Sequence, residues 1–366
     1  MKLDILKRYD FSFFFLMSLI FTIGVLNLYS ATHAHTVSHM SNLYKMQLGW
    51  YCACIVIAFV ASFIGPKNLF KLSYPIYFLN VILLILVLIL GDEAMGGKRW
   101  LVLGPLRLQP SEPMKISLVL ALSRWFSKVD PHRELGLKDL IIPFLIAFIP
   151  TLLIVKEPDL GTGLLHMLIF AVIALYRKLK VKSIVILGII GILCGSVMYK
   201  FGLKEYQRQR ILTFIDPTAD AKGSGYNAIQ SEIAIGSGKF SGKGFMKSSQ
   251  ASLNYLPENH TDFVFSILNE EWGFLGSIFL IALYVFLMFR FIRLSQSVLH
   301  FYDSIVCIGL MSILFWHTFI NMCMVMGLMP IVGLPLPLMS YGGSSLLLFL
   351  CCGGIATSLS NSRNFF

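Results

Sequence analysis

Charge is scarce in this chain. Asp, Glu, Lys and Arg make up 13% of its 366 residues and hydrophobic residues 56%, whereas a soluble domain carries about a quarter charged residues. That composition excludes an ordinary water-soluble globular domain. Acidic residues are the scarcer kind, 19 against 30 Lys and Arg, for a formal net charge of +11. In a soluble protein such an excess would raise nucleic acid as a partner. Here the basic residues fall between apolar segments, so membrane orientation accounts for them and no nucleic acid is expected. Cysteine is missing from the polar stretches. Cys52, Cys54, Cys194, Cys307, Cys323, Cys351 and Cys352 all sit inside or at the edges of apolar segments, which argues against a disulfide framework or a zinc site. A cleavable signal peptide is also missing. The first apolar run, Phe11 to about Ala31, is long for a signal core and has no small-residue cleavage site, so it reads as a retained helix. No solenoid or propeller repeat is visible.

What the chain has instead is long apolar runs. A membrane helix needs about 20 mostly apolar residues. About ten segments qualify: 11–31, 46–64, 73–90, 111–127, 139–155, 161–176, 182–200, 263–289, 303–328 and 344–360. The expectation is an all-α polytopic membrane protein, one domain over 1–366, with a large external loop at about 201–262 between the seventh and eighth helices. An even count puts both termini on one side. That side holds Lys2, Lys7, Arg8, Lys67, Lys71, Arg124, Lys128, Arg133, Lys138, the Arg177–Lys182 cluster, Arg290, Arg293 and Arg363. The opposite short loops hold only Lys45, Lys98, Arg99, Arg107, Lys115 and Lys156. Basic short loops stay in the cytoplasm, so both termini are expected there. The dense polar motifs then lie outside.

Four external constellations carry candidate chemistry. The first is Gly96-Gly97-Lys98-Arg99-Trp100 leading to Gln109-Pro110-Ser111-Glu112-Pro113-Met114-Lys115. Ser111 is a plausible N-cap. Glu112 and Lys115 share a helix face, as an ion pair that fixes packing or as one wall of a polar cavity. The second is the turn Glu157-Pro158-Asp159-Leu160-Gly161-Thr162-Gly163. Its carboxylates could hold a divalent cation, Mg or Mn; Asp159 or Thr162 could equally cap the next helix.

The third is the long loop, with Tyr206-Gln207-Arg208-Gln209-Arg210, Asp216-Pro217 and Gly225-Tyr226-Asn227, then Gly236, Gly238, Gly242 and Gly244 beside Lys239 and Lys243. The spacing is not a P-loop. Exposed amides near Lys or Arg suit a phosphate; a basic loop near anionic headgroups is the plainer reading. The loop ends in Leu256-Pro257-Glu258-Asn259-His260-Thr261-Asp262. Asp262 stands at the mouth of a helix, either as its cap or as a functional carboxylate. Glu270, eight residues on, returns close to the same face, so the two could line one cavity at two depths. The fourth is Pro330-Ile331-Val332-Gly333-Leu334-Pro335-Leu336-Pro337, followed by Met339-Ser340-Tyr341-Gly342-Gly343-Ser344-Ser345. Three prolines in eight residues exclude regular helix, and such backbone at membrane depth must be buried in protein or line a cavity. His33, His35 and His39 have metal-like spacings but no other support, and read as a solvated loop.

Taken in order, these strings resemble the SEDS family (RodA, FtsW and SpoVE) over essentially the whole chain, and its RodA branch most closely through Tyr206-Gln207-Arg208-Gln209-Arg210. Asn259, Asn269 and Pro113 depart from the family pattern without removing a candidate residue. The resemblance implies a peptidoglycan glycosyltransferase of cell elongation, in the bacterial plasma membrane. It would polymerise lipid II into glycan strands beside a class B penicillin-binding protein and the elongation machinery. The family's essential external aspartate matches Asp262. An inverting transfer from a diphosphate donor needs one base, and Asp262 supplies it. Lys115, Glu112, Arg208, Arg210, Arg99 and Ser344 are the candidate substrate-binding residues, with Glu157 and Asp159 for a cation. No organic cofactor is expected. The competing classes are a lipid II flippase, which should handle charge on both faces, and a non-enzymatic scaffold.

Overall fold

The computed structural model describes residues 9–33, 42–94, 97–103, 106–217, 223–253 and 255–364. Lys2, Lys7, Arg8, His35, His39 and Gly96 lie outside the described residues. Among the described residues, ten long helices stand where the ten apolar runs predict them. They are α1 (Ser12–His33), α2 (Leu43–Ala61), α3 (Pro66–Leu90), α4 (Ser111–Phe126), α5 (Ile141–Lys156), α6 (Leu160–Tyr176) and α7 (Val181–Val197). After the loop region, whose helices are α8 (Glu205–Ile215), α9 (Ser224–Gly238) and α10 (Ser249–Ser252), come α11 (Val264–Ser297), α12 (Phe301–Val325) and α13 (Gly343–Asn364). Between α3 and α4 a small antiparallel sheet forms in the order β1 (Asp92–Ala94), β2 (Gly97–Leu103) and β3 (Leu106–Leu108), with Glu93 opposite Lys98 and Val102 opposite Arg107. The sheet and α8–α10 are not legible as apolar runs.

Large apolar side chains point outward from most of the helices: Val56 and Val60 on α2, Ile82 and Ile89 on α3, Ile192 and Leu193 on α7, Val285 and Phe289 on α11. Water would penalise each of them; lipid does not. Among the described residues, eight helices are long and apolar enough to cross a membrane, and α6 is a shorter apolar one. The tenth, α4, carries Glu112 and Lys115 and is sheathed by protein, with most of its side chains buried. The chain is an integral membrane protein. At the centre, α12 buries His317, Asn321, Ser312 and Thr318 along with its apolar side chains.

At the end of the bundle that carries the termini, the chain ties itself together with charge. Arg290 of α11 meets Asp10 at 3.0 Å, Ser360 donates to Asp10 at 2.7 Å, and Asn361 accepts from the Asp10 amide at 3.0 Å. Arg177 donates to the carbonyls of Val129, Asp130 and Pro131.

At the other end α11 is broken. Gly273 has φ 63° and ψ −159°, and the turns of 238–244 fill the break. Lys243 and Gly244 amides donate to the Glu270 and Glu271 carbonyls at 2.9 Å each, and Phe274 and Leu275 amides donate back to Lys239 and Phe240 at 3.0 and 3.2 Å. A Cβ on Gly242 would lie 2.1 Å from the Glu271 carbonyl oxygen, and one on Gly273 2.3 Å from the Gly242 nitrogen. Only glycine permits that backbone approach. The amides of 242–244, which could suit a phosphate, are therefore consumed in packing. Glu270 is consumed too. It accepts from Lys243 Nζ at 2.5 Å, from the Ser249 amide and hydroxyl at 3.0 and 2.7 Å, from the Gln250 amide at 3.3 Å and from the Ser248 hydroxyl. It anchors the loop and does not line a cavity with Asp262.

Candidate functional site

The segment 331–333, between α12 and α13, is where the separate motifs meet. Pro330 before it, Pro335 after it and the left-handed Gly333 (φ 78°) keep it out of helix. On one side lies the turn between α5 and α6. A Cβ on Gly161 would come within 2.1 Å of Val332 Cγ1, so the turn abuts the loop there. Asp159 N-caps α6 by accepting from the Thr162 amide at 3.1 Å. Arg99 of β2 reaches the same turn. Its Nε donates to the Glu157 carbonyl at 3.3 Å, an Nη donates to the Pro158 carbonyl at 2.5 Å, and its guanidinium lies 4.0 Å from the Asp159 carboxylate. Glu157 is buried at the end of α5. Burial, reinforced by the Asp159 charge and opposed by Arg99, pushes its carboxyl up to about 8.

On the other side lie α8 and the segment before α11. Arg210 donates to the Ile331 and Val332 carbonyls at 3.2 and 3.5 Å. Asp262 is half-buried, and its Oδ2 would be 3.4 Å from a Cβ on Gly333. Burial first, then the nearby Glu258 charge, pushes the Asp262 carboxyl up to about 6, against the pull of Arg210. Asp262 does not cap α11; Phe263 is the N-cap residue, without a side-chain bond. Among the described residues no hydrogen bond reaches the Asp262 carboxylate, whereas the carbonyls of residues 260–262 are all engaged. The Tyr341 amide donates to the His260 carbonyl at 2.9 Å, Ser340 Oγ to the Thr261 carbonyl at 2.6 Å, and Asn321 Nδ2 to the Asp262 carbonyl at 3.0 Å.

The remaining candidates fall elsewhere. Glu112 and Lys115 form an ion pair at 2.6 Å inside the bundle, with Lys115 0% exposed. Lys115 Nζ also donates to His317 Nε2 at 2.9 Å. Among the described residues the pair reaches the loop through His317, whose Nδ1 donates to the Pro335 carbonyl at 3.3 Å. Ser111 is the first residue of α4 and not its cap, which is Pro110. Arg208 is turned toward the π-helical turn Met198–Gly202, donating to the Tyr199 and Lys200 carbonyls at 3.4 Å each. Ser344 opens α13 and donates to the Arg107 carbonyl of β3 at 3.4 Å. His33 ends α1 and stacks on Tyr29.

The structure thus gathers Asp262, Arg210, Arg99, Glu157 and Asp159 around one loop, and places Glu112 and Lys115 beneath it. Sequence reasoning did not single out Asn321 or Gly333 as neighbours of Asp262, Ser340 as a partner of the Thr261 carbonyl, or His317 as the link from Lys115 to the loop. His317 and Asn321 did carry a signal: two polar residues four apart share one face of an otherwise apolar span.

The family model described as Cell cycle protein, for FtsW, RodA and SpoVE, matches residues 10–364. The peptidoglycan glycosyltransferase MrdB of Escherichia coli K12 is 37% identical over 320 residues, covering 87% of this chain and 86% of that protein. A chain from a peptidoglycan synthase complex that coordinates polymerization and crosslinking superposes with a TM-score of 0.82 at 31% identity, covering 97% and 98%. The rod shape determining protein RodA of Thermus thermophilus gives 0.70 at 28% identity, covering 97% of each chain. With the family pattern running from the start of α1 to the end of α13, the chain belongs to the FtsW, RodA and SpoVE family of cell cycle proteins.

Proposed function

We propose that this protein is a peptidoglycan glycosyltransferase of cell elongation that polymerises lipid II on the outer face of the bacterial plasma membrane, with Asp262 as general base. The observation that carries the base assignment is the state of Asp262. Its backbone is held on three consecutive carbonyls while its carboxylate accepts no hydrogen bond among the described residues. A carboxyl poised at about 6 is mostly ionised at neutral pH yet a better proton acceptor than an ordinary aspartate.

In the proposed reaction an acceptor sugar hydroxyl attacks the anomeric carbon of the donor. The bond to the diphosphate breaks as the new glycosidic bond forms, the configuration inverts, and the hydroxyl proton passes to Asp262. The diphosphate departs as an anion, so a protonating acid is not required, unlike in glycoside hydrolysis. Arg210, beside Asp262, and Arg99, across Val332, are the cations placed to meet its charge. Lys115 and Glu112 act from inside the bundle on the loop's position. Arg208 and Ser344 tie neighbouring elements together.

The residues do not make a protein-only cation site. Among the described residues no group of three or more His, Cys, Asp or Glu side chains converges. Glu157 holds its proton near neutrality, Asp159 is engaged as a cap, and Arg99 already supplies positive charge. No step is therefore routed through Mg or Mn. A chelator added to the polymerisation reaction measures any requirement directly.

The orientation follows from the basic connectors, with both termini in the cytoplasm and the 201–262 segment outside. The transpeptidase partner is a class B penicillin-binding protein, in keeping with the synthase complex to which one similar chain belongs. The deciding experiment gives purified protein and its transpeptidase partner lipid II and measures glycan polymer. Wild type is expected to polymerise and Asp262→Ala to be inactive. Wild type that moves lipid II across liposomes without polymerising it would establish a flippase instead.

A further inference from the structure

We infer that Asn321 is a positioning residue for Asp262, and that it sets the base against the 331–335 loop by donating to both at once. The inference rests on the base assignment above. Asn321 lies in α12 and is 0% exposed. Its Nδ2 donates to the Asp262 carbonyl at 3.0 Å and to the Leu334 carbonyl at 2.7 Å. An amide nitrogen has two hydrogens, and here each goes to a different segment. One turn earlier on the same face, His317 holds the next carbonyl, that of Pro335, at 3.3 Å.

The protonation of this chain of contacts follows from chemistry. The Lys115 ammonium can only donate, so His317 Nε2 accepts and Nδ1 carries the hydrogen offered to Pro335. Lys115 is held for that task by Glu112. A rigid helix therefore grips two consecutive loop carbonyls, and from the same side chain it grips the backbone of the proposed base. Asn321 touches no reacting atom. What it fixes is the register between Asp262, Gly333 and the Arg210 that donates to Ile331 and Val332. A displacement of about 1 Å in a catalytic group can cost on the order of 100-fold in rate.

The test compares Asn321→Leu, which keeps the volume and removes both donors, with Asp262→Ala and with Asn80→Leu. Asn80 is a buried Asn of α3 that, among the described residues, donates to its own helix, at Ile76, and its variant serves as the control for losing a buried amide. Each is purified with the transpeptidase partner and assayed on lipid II for kcat, KM and the pH dependence of kcat. Asn321→Leu is expected to lower kcat about 10- to 100-fold, to leave KM within about threefold, and to displace the acid limb of the pH profile. Asn80→Leu is expected to keep the wild-type profile. If Asn321→Leu does not yield folded protein, Asn321→Ser, a smaller change that loses the double donation, carries the same comparison. A wild-type kcat and an unmoved acid limb in the folded Asn321 variant, with Asp262→Ala inactive, overturn the inference alone. An Asp262→Ala that polymerises at the wild-type rate removes the base assignment and the inference with it.

Discussion

A general base has to be held in place without its carboxylate being used up in the holding. Asp262 meets both conditions by dividing the work between backbone and side chain. Its neighbours' carbonyls and its own are bonded, and its carboxylate faces Gly333 with Arg210 and Glu258 as the nearest charges. In the proposed mechanism the working form is the ionised one. With the carboxyl raised to about 6, the polymerisation rate should climb as pH rises through about 6 and level off above it. Arg210 pulls the carboxyl down, so Arg210→Ala should carry that rising limb to higher pH and weaken the response to the diphosphate. An acid limb that stays in place in Arg210→Ala would mean that the arginine does not act on Asp262. The position of Asp262 at a helix mouth was legible in the sequence. Its environment was not, because Arg210, Asn321 and Gly333 reach it from three remote stretches of chain.

The helices followed from apolar length, since a run of about 20 apolar residues has few alternatives to a membrane span. The external elements had no such signature. α8, α9 and the small sheet are short, and their polar residues are sorted only by the partners they meet. The glycines of 236–244 illustrate the difference. In sequence they suit an anion; in the structure Gly242 and Gly273 let two backbones close on each other at the break in α11. Gly273→Ala should therefore destabilise the protein. Forcing a Cβ into this positive-φ, extended-ψ conformation, which essentially only glycine adopts, costs about 1–3 kcal/mol, and the contact with the Gly242 nitrogen adds to it. Thermal unfolding in detergent should show a lowered midpoint, and proteolysis should cut first within 239–253. A variant as stable as wild type would show that the 238–244 stretch is not locked into α11. Glu270→Ala should act on the same element, because it strips Lys243, Ser248, Ser249 and Gln250 of a shared acceptor. Losing a buried carboxylate with this many donors typically costs about 1–3 kcal/mol, and the same unfolding measurement reads it.

Across the whole molecule the two ends of the bundle are built differently, and the difference fixes which end can do the chemistry. At the end with the termini, basic residues clasp backbone carbonyls or pair with Asp10, as Arg177 after α6 and Arg290 near the end of α11 do. At the other end lie the 331–333 loop, Asp262 and the three helices of the 201–262 segment. The bias of basic short connectors is the ground for the proposed orientation, in which the first end is cytoplasmic. A substrate whose sugar is displayed outside then meets Asp262, while its lipid tail stays beside the apolar outer faces of the spans. Single cysteines introduced into a background without the native ones test this orientation. Ser252 and His132 are both exposed, one at each end. Ser252→Cys should react with a membrane-impermeant maleimide in intact spheroplasts, and His132→Cys only after lysis. The opposite pattern would place Asp262 in the cytoplasm, where a base for outer-face polymerisation has no substrate hydroxyl to deprotonate.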